Sequence, residues 1–330
     1  MNIKIIQKLL SLVYFALASA LLLCMFGGLW LGEPFDSQSI KGFIKSILIV
    51  FIINLILKFG SRFRFKMSNI TNILVKRLFN KLSVNLNKIA LLRNARGENY
   101  PDLNYFANKA IDLGVDGLTL HPRPDHRHAT SEDVIEISKI ANNRGVEFNL
   151  EGNPFSLPEK DFLGFKQLCN LAQPHQITLV PDSLDQVTSD HGWQPGYLDN
   201  KLSEFVKENK SSNSRMSLFI DANPKSVEYA ANIGFDRVEI YTGPFAYYLE
   251  SNNMDKLNQV KKNITDCIAT ANDHDMGVNA GHDLNLVNLP QLKECGIIDE
   301  VSIGHAIMTD ALKFGFSDTI MKYIKLIRNH

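Results

Sequence analysis

GLTLHPR, at residues 117–123, is one of eight short runs of apolar and β-branched residues that recur through residues 83–306. Each run has the composition of a buried parallel strand, and almost every run carries a polar residue at its predicted strand tip. Polar side chains at the carboxyl ends of such strands are typical of the catalytic face of a (β/α)8 barrel. The other seven runs are SVNLNKI (83–89), VEFNLEG (146–152), QITLVPD (176–182), RMSLFID (215–221), RVEIYTG (237–243), MGVNAGH (276–282) and EVSIGHA (300–306).

Helical segments fill the gaps between these runs. Residues 101–113, 131–144 and 254–274 place apolar side chains at helical spacing. Asn223-Pro224 is an N-cap followed by proline at the first helical position. Strands that alternate with helices pair in parallel through right-handed crossovers, so eight such units predict a closed (β/α)8, or TIM, barrel. No G-x-G-x-x-G turn follows the first run, which argues against a dinucleotide-binding fold.

The composition of the chain excludes some classes of partner. The 330 residues include 35 Lys and Arg and 35 Asp and Glu, so there is no basic excess of the kind that nucleic-acid binding requires. The cysteines form no C-x-x-C pair, so neither a zinc site nor a disulfide framework is indicated. We expect buried free thiols in a reducing compartment. The cysteines are Cys24, Cys169, Cys267 and Cys295.

The amino-terminal part of the chain differs in composition from the rest. Residues 9–31 are apolar, uncharged and long enough to span a bilayer, and residues 42–59 form a second, weaker apolar run. Lysines and arginines flank the two runs on their outer sides, which predicts a membrane hairpin with both ends in the cytoplasm. We therefore expect a hydrophobic helical extension at 1–66, and a cytoplasmic catalytic barrel at 67–330 that associates with the membrane through residues 9–59.

Three alternatives compete with the membrane hairpin. A lipoprotein signal at Cys24 is the weakest, because Leu23 stands where a small residue would be needed. Ala18-Ser19-Ala20 has the small-residue form of a signal-peptide cleavage site. Met67 lies just before the barrel, and a protein that starts there would contain the whole barrel without the extension. Nothing in the chemistry of the barrel requires the extension.

The segment HPRPDHRH, at residues 121–128, holds the densest group of chemically active side chains. His121 and His128 offer acid–base groups, and the planar guanidinium of Arg123 suits phosphate. The two prolines would stiffen the backbone and hold the arginine in place. A metal site on His126-x-His128 is one alternative, and a solvated basic turn is another.

Two runs carry a glutamate that we place at the carboxyl end of the strand, Glu151 in the third run and Glu239 in the sixth. A partly desolvated carboxyl group at a barrel rim can have its pKa raised and can serve as base and acid in turn. A lone glutamate at a strand end is often only a helix cap or an ion-pair partner. Two of them at the same rim, together with His121 and His282, favour catalysis.

Glycine–histidine pairs lie at the ends of the last two runs, Gly281-His282 and Gly304-His305. In (β/α)8 barrels the loops after strands seven and eight commonly bind phosphate beside a helix N-terminus. Glycine lets a backbone N–H approach an oxyanion closely, and the adjacent histidine adds a titratable donor. These pairs therefore predict an anion site.

The rim contains further candidate binding groups. Arg93 and Arg96 follow the first run, and we expect one of them to face the pocket. At least two anion sites on one face indicate two phosphorylated substrates or one bisphosphate. The acid–base groups between them favour a condensation with loss of water over hydride transfer.

Residues 182–199 form a long segment without periodicity, which is typical of a lid or substrate loop. Trp193 in this segment could shield a pocket from water. A solvated surface loop is the alternative.

Together these motifs resemble the pyridoxine 5′-phosphate synthase family, whose enzymes close the pyridine ring of vitamin B6. The matching segments occur in family order and cover about residues 82–330, and seven in register are highly specific although each alone is weak. They are VNLNKIALLRNARG (84–97), HPRPDHRH (121–128), NLEG (149–152), LVPD (179–182) with Val187-Thr188, EIYTG (239–243), NAGHDL (279–284) and SIGHA (302–306).

The resemblance implies a (β/α)8 barrel that condenses 3-amino-2-oxopropyl phosphate with 1-deoxy-D-xylulose 5-phosphate, gives pyridoxine 5′-phosphate, phosphate and water, and needs no cofactor or metal. It also implies a homo-oligomer. The implied catalytic roles are proton acceptor for His121 and Glu151, proton donor for His282, and charge stabilisation for Glu239. The implied ligands of the amino-ketone phosphate are Asn85, Arg96, Gly304 and His305, and those of the deoxyxylulose phosphate are Arg123, His128 and Thr188.

Two places depart from the common form of the family. Asn87-Lys88 stands where that form has Asp-His, and Asp283 stands where it has Gly. As substrate-binding residues, Lys88 would act on the sugar phosphate as a point charge, and Asp283 would act only through its backbone N–H.

Two other functions remain alternatives. Another phosphate-binding barrel lyase or isomerase would often use a Schiff-base lysine at a strand tip, where Lys88 is the near-tip lysine. A non-catalytic, membrane-anchored protein that binds a phosphate ligand is the second, and the intact set of Glu151, His121 and His282 argues against it.

Overall fold

Eight parallel strands close into a barrel in chain order in the computed structural model, which describes residues 81–183, 185–196, 199–210 and 214–328. Each strand pairs with the next, and the eighth pairs back with the first. The predicted (β/α)8 barrel is therefore confirmed. The strands are β1 Lys81–Asn85, β2 Gly117–Leu120, β3 Glu147–Gly152, β4 Gln176–Leu179, β5 Arg215–Ile220, β6 Arg237–Tyr241, β7 Gly277–Gly281 and β8 Glu300–Ile303.

Helices follow the strands around the outside of the barrel. Several strands are followed by two helices, so there are more helices than strands. The helices are α1 Asn87–Asn94, α2 Leu103–Asp112, α3 Ser131–Arg144, α4 Phe165–Ala172, α5 Asp199–Asn209, α6 Pro224–Ile233, α7 Gly243–Glu250, α8 Met254–Asp273, α9 Leu289–Lys293, α10 His305–Phe314 and α11 Phe316–Arg328.

Helix α3 shows why these segments begin and end where they do. The hydroxyl of Thr130 accepts the backbone N–H of Asp133 at 3.2 Å, and the Asp133 carboxylate accepts the backbone N–H of Thr130 at 2.8 Å. This capping box satisfies donors that the first turn cannot pair. The helix ends at Gly145, whose left-handed conformation is accessible to glycine without steric cost. The cap that was predicted at Asn223 is likewise present at α6.

The first run is shorter as a strand than its composition indicates. It was predicted to be strand-like from residue 83 to 89, but β1 ends at Asn85 and α1 begins at Asn87. The side-chain Oδ1 of Asn85 accepts the backbone N–H of Asn87 at 3.0 Å, which turns the chain before the strand can continue. Leu86, Ile89 and Ala90 are then buried at helical spacing.

A four-fold repeat closes the amino-terminal end of the barrel. The residue before each even-numbered strand donates its backbone N–H to the second residue of the preceding odd-numbered strand. Its side chain accepts the N–H of that same residue, so both backbone groups are satisfied at the barrel entrance. The pairs are Asp116 with Leu82, His175 with Phe148, Asp236 with Met216 and Asp299 with Val278, and the side-chain bonds measure 3.0, 3.1, 2.9 and 2.9 Å in that order.

The interior of the barrel is mostly polar. The hydroxyls of Ser83 and Thr119 lie 2.7 Å apart, and the Thr178 hydroxyl donates to Asn149 Oδ1 at 2.9 Å. The apolar core lies between strands and helices, where outward-facing side chains such as Leu118 join one buried cluster with helical side chains. Polar groups therefore lie directly beneath the carboxyl ends of the strands.

Within the described residues, no helix combines the length and the apolar composition that a membrane crossing requires. Residues 1–80, with the predicted membrane hairpin, the cleavage-site motif and Met67, lie outside those residues. The boundary between residues 66 and 67 therefore stays a prediction. Cys169, Cys267 and Cys295 are buried free thiols, as expected.

Candidate active site

The carboxyl ends of the strands bring four predicted catalytic side chains to one end of the barrel. Glu151 lies in β3 and Glu239 in β6, while His121 follows β2 and His282 follows β7. Both glutamates are buried, with 8% and 3% of their surface exposed. His282 interacts electrostatically with His121, so the two histidines share one site although they come from opposite parts of the chain.

His121 lies between two carboxyl groups. Its Nε2 is 2.9 Å from Oδ2 of Asp182, and its Nδ1 is 3.7 Å from Oε2 of Glu151. The first distance is that of a hydrogen bond, whereas the second is too long for one. The backbone N–H of His121 donates to Oδ1 of Asn87 at 3.0 Å, which ties the predicted binding residue Asn87 to the catalytic histidine.

Asp182 also holds Arg123, whose Nη2 donates to the same Oδ2 at 2.5 Å. Burial alone would raise the pKa of Asp182, but the neighbouring His121 and Arg123 outweigh burial and hold that pKa well below its usual range. Asp182 is therefore an anion near neutral pH. It was not among the predicted site residues, although its place at the tip of the fourth run was a signal that could have found it.

Burial favours the uncharged form of Glu151. Burial, and then the negative charges of Glu239 and Asp182, raise its pKa well above the usual range. The amide of Asn149 donates to Oε1 of Glu151 at 3.2 Å. Such a group can give up a proton or take one back during a reaction at neutral pH.

Glu239 is the second buried acid, and burial raises its pKa to about 7. A Cβ added at Gly281 would lie 2.2 Å from Oε1 of Glu239, so the carboxyl group fills the space that glycine leaves. Gly281 therefore makes room for the carboxyl group of Glu239, and a backbone contact between Gly281 and an oxyanion stays a prediction. Oε2 of Glu239 is buried and has no hydrogen-bond partner among the described residues.

His282 packs in an aromatic wall. The centroid of its ring lies 5.6 Å from those of Phe219 and Tyr241. Burial lowers the pKa of His282, although the adjacent carboxylate of Asp283 partly opposes that effect. The hydroxyl of Thr242 donates to the carbonyls of Gly281 and His282, which fixes the turn that carries the histidine.

Asp283 has a backbone conformation that glycine, the residue of the common family form, adopts easily. His282 and Asp283 both have positive φ, +75° and +58°. Glycine adopts this left-handed conformation freely, and aspartate is among the residues that tolerate it best. The side chain of Asp283 is exposed, and its carbonyl accepts the side-chain amide of Asn288 at 2.8 Å. The departure from the family form therefore leaves the backbone turn intact.

One predicted anion site forms where β8 meets α10. Gly304 is the N-cap of α10, has no side-chain cap, and His305 is the exposed first residue of the helix. A Cβ at Gly304 would lie 3.0 Å from the Cβ of Asn85, so the structure brings these two predicted ligands together. The N-terminus of a ten-residue helix favours an anion through its free N–H groups. Arg96 is exposed on the turn after α1.

The second predicted anion site surrounds Arg123 and His128. Nε of Arg123 and Nδ1 of His128 are buried and have no hydrogen-bond partner among the described residues. Burial, and then His121, Arg123 and Lys88, lower the pKa of His128 to about 3, so it is neutral. Lys88, from α1, is half-buried and close enough to His128 to contribute to this shift. Thr188 lies exposed on the loop after β4.

One of Arg93 and Arg96 was expected to face the pocket. Arg93 makes a bidentate ion pair with Asp133 at 2.5 and 2.7 Å that fixes α1 on α3, which leaves Arg96 as the candidate. Trp193 is 2% exposed, and its Nε1 donates to the carbonyl of Leu179 at 3.1 Å. It anchors the loop in the barrel core instead of lying over a pocket.

The remaining alternatives for HPRPDHRH can be compared with the structure. No group of three or more His, Cys, Asp or Glu in the described part of the chain is arranged to hold a metal ion. The segment is not simply a solvated basic turn either, because Arg123 and His128 are buried. Arg127 fits the turn better, since it pairs with Asp125 and donates to the carbonyl of Gln186 at 2.7 Å.

The fold and the site define a (β/α)8 barrel whose carboxyl face combines buried acid–base groups with donors for anions. The family described as pyridoxal phosphate biosynthesis protein PdxJ matches residues 82–329, and the chain belongs to this family. The resemblance found in the sequence motifs is thereby confirmed.

Individual relatives agree with this assignment. Pyridoxine 5′-phosphate synthase from Xanthomonas axonopodis pv. citri (strain 306) is 42% identical over 251 residues, which cover 76% of this chain and 97% of the relative. The enzyme of the same name from Xylella fastidiosa (strain M23) is 44% identical over 248 residues, 75% of this chain and 94% of its own. A tryptophan synthase structure from Mycobacterium tuberculosis covers 79% of this chain and 96% of that chain with a TM-score of 0.52 and 10% identity, a likeness of fold alone.

Proposed function

We propose that the protein is a pyridoxine 5′-phosphate synthase. It condenses 3-amino-2-oxopropyl phosphate with 1-deoxy-D-xylulose 5-phosphate and produces pyridoxine 5′-phosphate, inorganic phosphate and water, as part of vitamin B6 biosynthesis. Membership of the family supports the proposal, as do relatives of the same name that align over nearly their whole length.

The observation that carries the proposal is the placement of His121 and Glu151. The two groups face each other across 3.7 Å without a hydrogen bond, at the end of the barrel that also carries both predicted anion sites. A condensation that forms a ring needs groups that take protons from one substrate and return them to leaving hydroxyls. Two facing groups that are not bonded to each other are free to do so.

The proton-accepting roles divide according to charge. His121 has its Nδ1 free to accept a proton because its Nε2 is bonded to Asp182. Glu151, whose uncharged form is favoured by burial, becomes a base once it has passed its proton on. Glu239, with a pKa of about 7, can ionise when a positive charge develops on an intermediate beside it.

His282 suits the role of proton donor. Since burial lowers its pKa, the imidazolium form of His282 is a stronger acid than an exposed histidine. A proton that it takes up in one step is therefore readily given to a departing hydroxyl in another. Its ring is held for this by Phe219 and Tyr241.

The binding roles follow the two anion sites. Asn85, Gly304 and His305, with Arg96 nearby on the rim, would hold the amino-ketone phosphate. Arg123, His128, Lys88 and Thr188 would hold the deoxyxylulose phosphate, with Nε of Arg123 and Nδ1 of His128 as donors that lack a protein partner. Asn87 acts through the backbone of His121, and Asp283 through its own backbone N–H.

The test is turnover by the full-length chain. We would incubate it with both phosphorylated substrates and follow pyridoxine 5′-phosphate by chromatography, with each substrate omitted in turn. Product that requires both substrates is the expected result. Borohydride added with either substrate should leave the protein mass unchanged, whereas a trapped adduct on Lys88 together with no ring product would favour an aldolase-type enzyme.

The cellular setting belongs to the proposal as well. We propose that the barrel is cytoplasmic, that residues 9–59 tether it to the membrane, and that it assembles as a homo-oligomer. Cell fractionation with the full-length chain tests the tether, and recovery of the protein in the high-speed supernatant would contradict it. Light scattering after size-exclusion chromatography measures the oligomer, and a monomer mass would contradict that part.

A further inference from the structure

We propose that Asp182 is a positioning residue for the ring-closing reaction: its carboxylate fixes the tautomer and orientation of His121 and at the same time aims Arg123. The inference rests on the proposed function, because the roles of His121 and Arg123 belong to it. Asp182 itself contacts no reacting atom of a substrate, and it acts through His121 and Arg123.

The geometry is that of one shared acceptor. A single oxygen, Oδ2 of Asp182, lies 2.9 Å from Nε2 of His121 and 2.5 Å from Nη2 of Arg123. The three side chains are 7%, 8% and 5% exposed in the order Asp182, His121 and Arg123, so water competes little for these bonds. The backbone carbonyl of Asp182 accepts the amide of Asn153 at 2.7 Å, which fixes the residue at the start of the loop.

The bond to Asp182 decides which nitrogen of His121 carries the hydrogen. A carboxylate accepts hydrogen bonds and cannot donate them, so Nε2 must be the protonated nitrogen. Nδ1 of the neutral ring then has a free lone pair, and it faces Glu151 across 3.7 Å. Without Asp182 both tautomers become accessible, and in one of them Nδ1 carries a hydrogen and cannot act as a base.

Charged and titratable groups face His121 from several elements. Glu151 approaches from β3 and Asp182 from the end of β4, while Arg123 lies on the same segment as the histidine. The ring of His128 lies 6.3 Å away between centroids, and His282 interacts from the end of β7. Among these neighbours Asp182 is the carboxylate within hydrogen-bonding distance of the ring, at 2.9 Å from Nε2.

Arg123 is oriented by the same carboxylate. Its Nη2 is bonded to Asp182, and its Nη1 donates to the carbonyl of Gln186 at 2.9 Å. Nε, a further donor of the same guanidinium, is buried and has no hydrogen-bond partner among the described residues. Asp182 therefore turns the guanidinium so that one edge is spent on the protein and another is left for an anionic ligand.

The experiment compares Asp182→Asn and Asp182→Glu with the wild-type full-length chain. Asp185→Asn is the matched control, because Asp185 is an exposed aspartate on the same loop. Nitrogen-15 NMR of labelled histidine, with His121→Gln used for assignment, reports the tautomer without any need for turnover. Steady-state kinetics across pH report kcat and KM separately.

We expect a protonated Nε2 in the wild type and a mixture of tautomers in Asp182→Asn. The kcat of Asp182→Asn should fall by roughly 10²-fold, since a base in the wrong tautomer cannot accept the proton. Asp182→Glu should recover part of kcat, and Asp185→Asn should match the wild type.

An unchanged tautomer together with an unchanged kcat in Asp182→Asn would overturn the inference. A rise in KM alone would overturn the part that concerns His121 and leave only the part that concerns Arg123. If the wild-type chain forms no product, the proposed function fails, while the NMR comparison still decides whether Asp182 sets the tautomer.

Discussion

Glu151 and His282 are the side chains on which turnover most directly depends. The pKa of Glu151 is raised well above its usual range, and that of His282 is lowered, in both cases first by burial. Burial therefore favours the uncharged form of both groups. An uncharged carboxyl group can give a proton to an intermediate, and an uncharged imidazole can accept one.

We predict that Glu151→Gln and His282→Asn each lower kcat by roughly 10²-fold or more. Glutamine has the shape of the neutral carboxyl group, and asparagine tolerates the positive φ of +75° at position 282, so neither variant should misfold. Product formation gives kcat, and circular dichroism with thermal melting checks the fold. Near-wild-type turnover in either variant would remove that residue from the mechanism.

Glu239 makes stability depend on pH. Its pKa rises from 4.5 to about 7 in the folded protein, so the folded state holds a proton that the unfolded state releases in that window. The stabilisation is present in full below the unfolded value and is lost as the pH rises through the folded one. Glu239→Gln cannot ionise, so its melting temperature should fall less between about pH 5 and 8 than that of the wild type.

The control for this prediction is Glu250→Gln, which makes the same change at an exposed glutamate. It should melt with the wild-type pH dependence. Equal pH dependence in Glu239→Gln and the wild type would show that Glu239 does not carry the raised pKa.

Most of the proposed site residues could be named from the sequence, because polar residues at strand tips can be recognised without knowledge of the fold. His121, Glu151, Glu239 and His282 could be named from the ends of the runs and from the family motifs. Asp182 could be seen at a tip but not given a role, since its two bonds depend on the fold of the loop. The choice between Arg93 and Arg96 could not be made from the sequence, because Asp133, the partner of Arg93, lies 40 residues away.

The contact between strands β6 and β7 controls the shape of the site. Gly281 of β7 lies against the carboxyl group of Glu239 in β6, with no room for a methyl group. We predict that Gly281→Ala displaces Glu239 and lowers kcat roughly 10-fold or more, while the protein stays folded. A double-mutant cycle with Glu239→Gln should be strongly non-additive, and additive effects would contradict the proposed link.

The repeat at the amino-terminal end of the barrel should contribute to stability and not to catalysis. Asp236→Ala leaves the buried N–H of Met216 without its acceptor, which costs about 1–3 kcal/mol. Urea denaturation measures the loss, and kcat of the folded variant should be unchanged because the site lies at the other end. Lys210→Ala removes the exposed ion pair to Asp236 and a hydrogen bond to the carbonyl of Gly234 but keeps the acceptor for Met216, so it should cost about 1 kcal/mol or less.

Equal losses in these two variants would contradict the role given to the backbone bond.

The repeat itself was not visible in the sequence, because three positions carry aspartate and the fourth carries His175. Helices with clear caps, such as α3, were predictable to the residue. Helix α1 was not, because its first residues have strand-like composition and the turn at Asn85 decides where it begins.

At the scale of the whole molecule, every proposed catalytic and binding residue lies between Asn85 and His305. Eight strands in chain order already close the barrel within the described residues. The count and order of strands were predictable because each run carries its own composition. The polar interior and the pairing of His121 with Asp182 were not, since they arise only when the sheet closes.

We therefore predict that residues 67–330 turn over at the rate of the full-length chain. The measurement is kcat and KM of both proteins with the same two substrates, and the full-length chain is measured both in detergent and in membranes. A folded truncation without activity, beside an active full-length chain, would make residues 1–66 part of the working enzyme.

The most direct test of the account counts both products of the full-length chain at once. Two phosphorylated substrates enter and one phosphate stays in pyridoxine 5′-phosphate, so one inorganic phosphate should appear for each ring formed. We predict this one-to-one ratio in the wild type and the loss of both products in Glu151→Gln. Phosphate release without ring formation, or neither product from the folded wild-type protein, would contradict the assignment of this barrel as a ring-closing synthase.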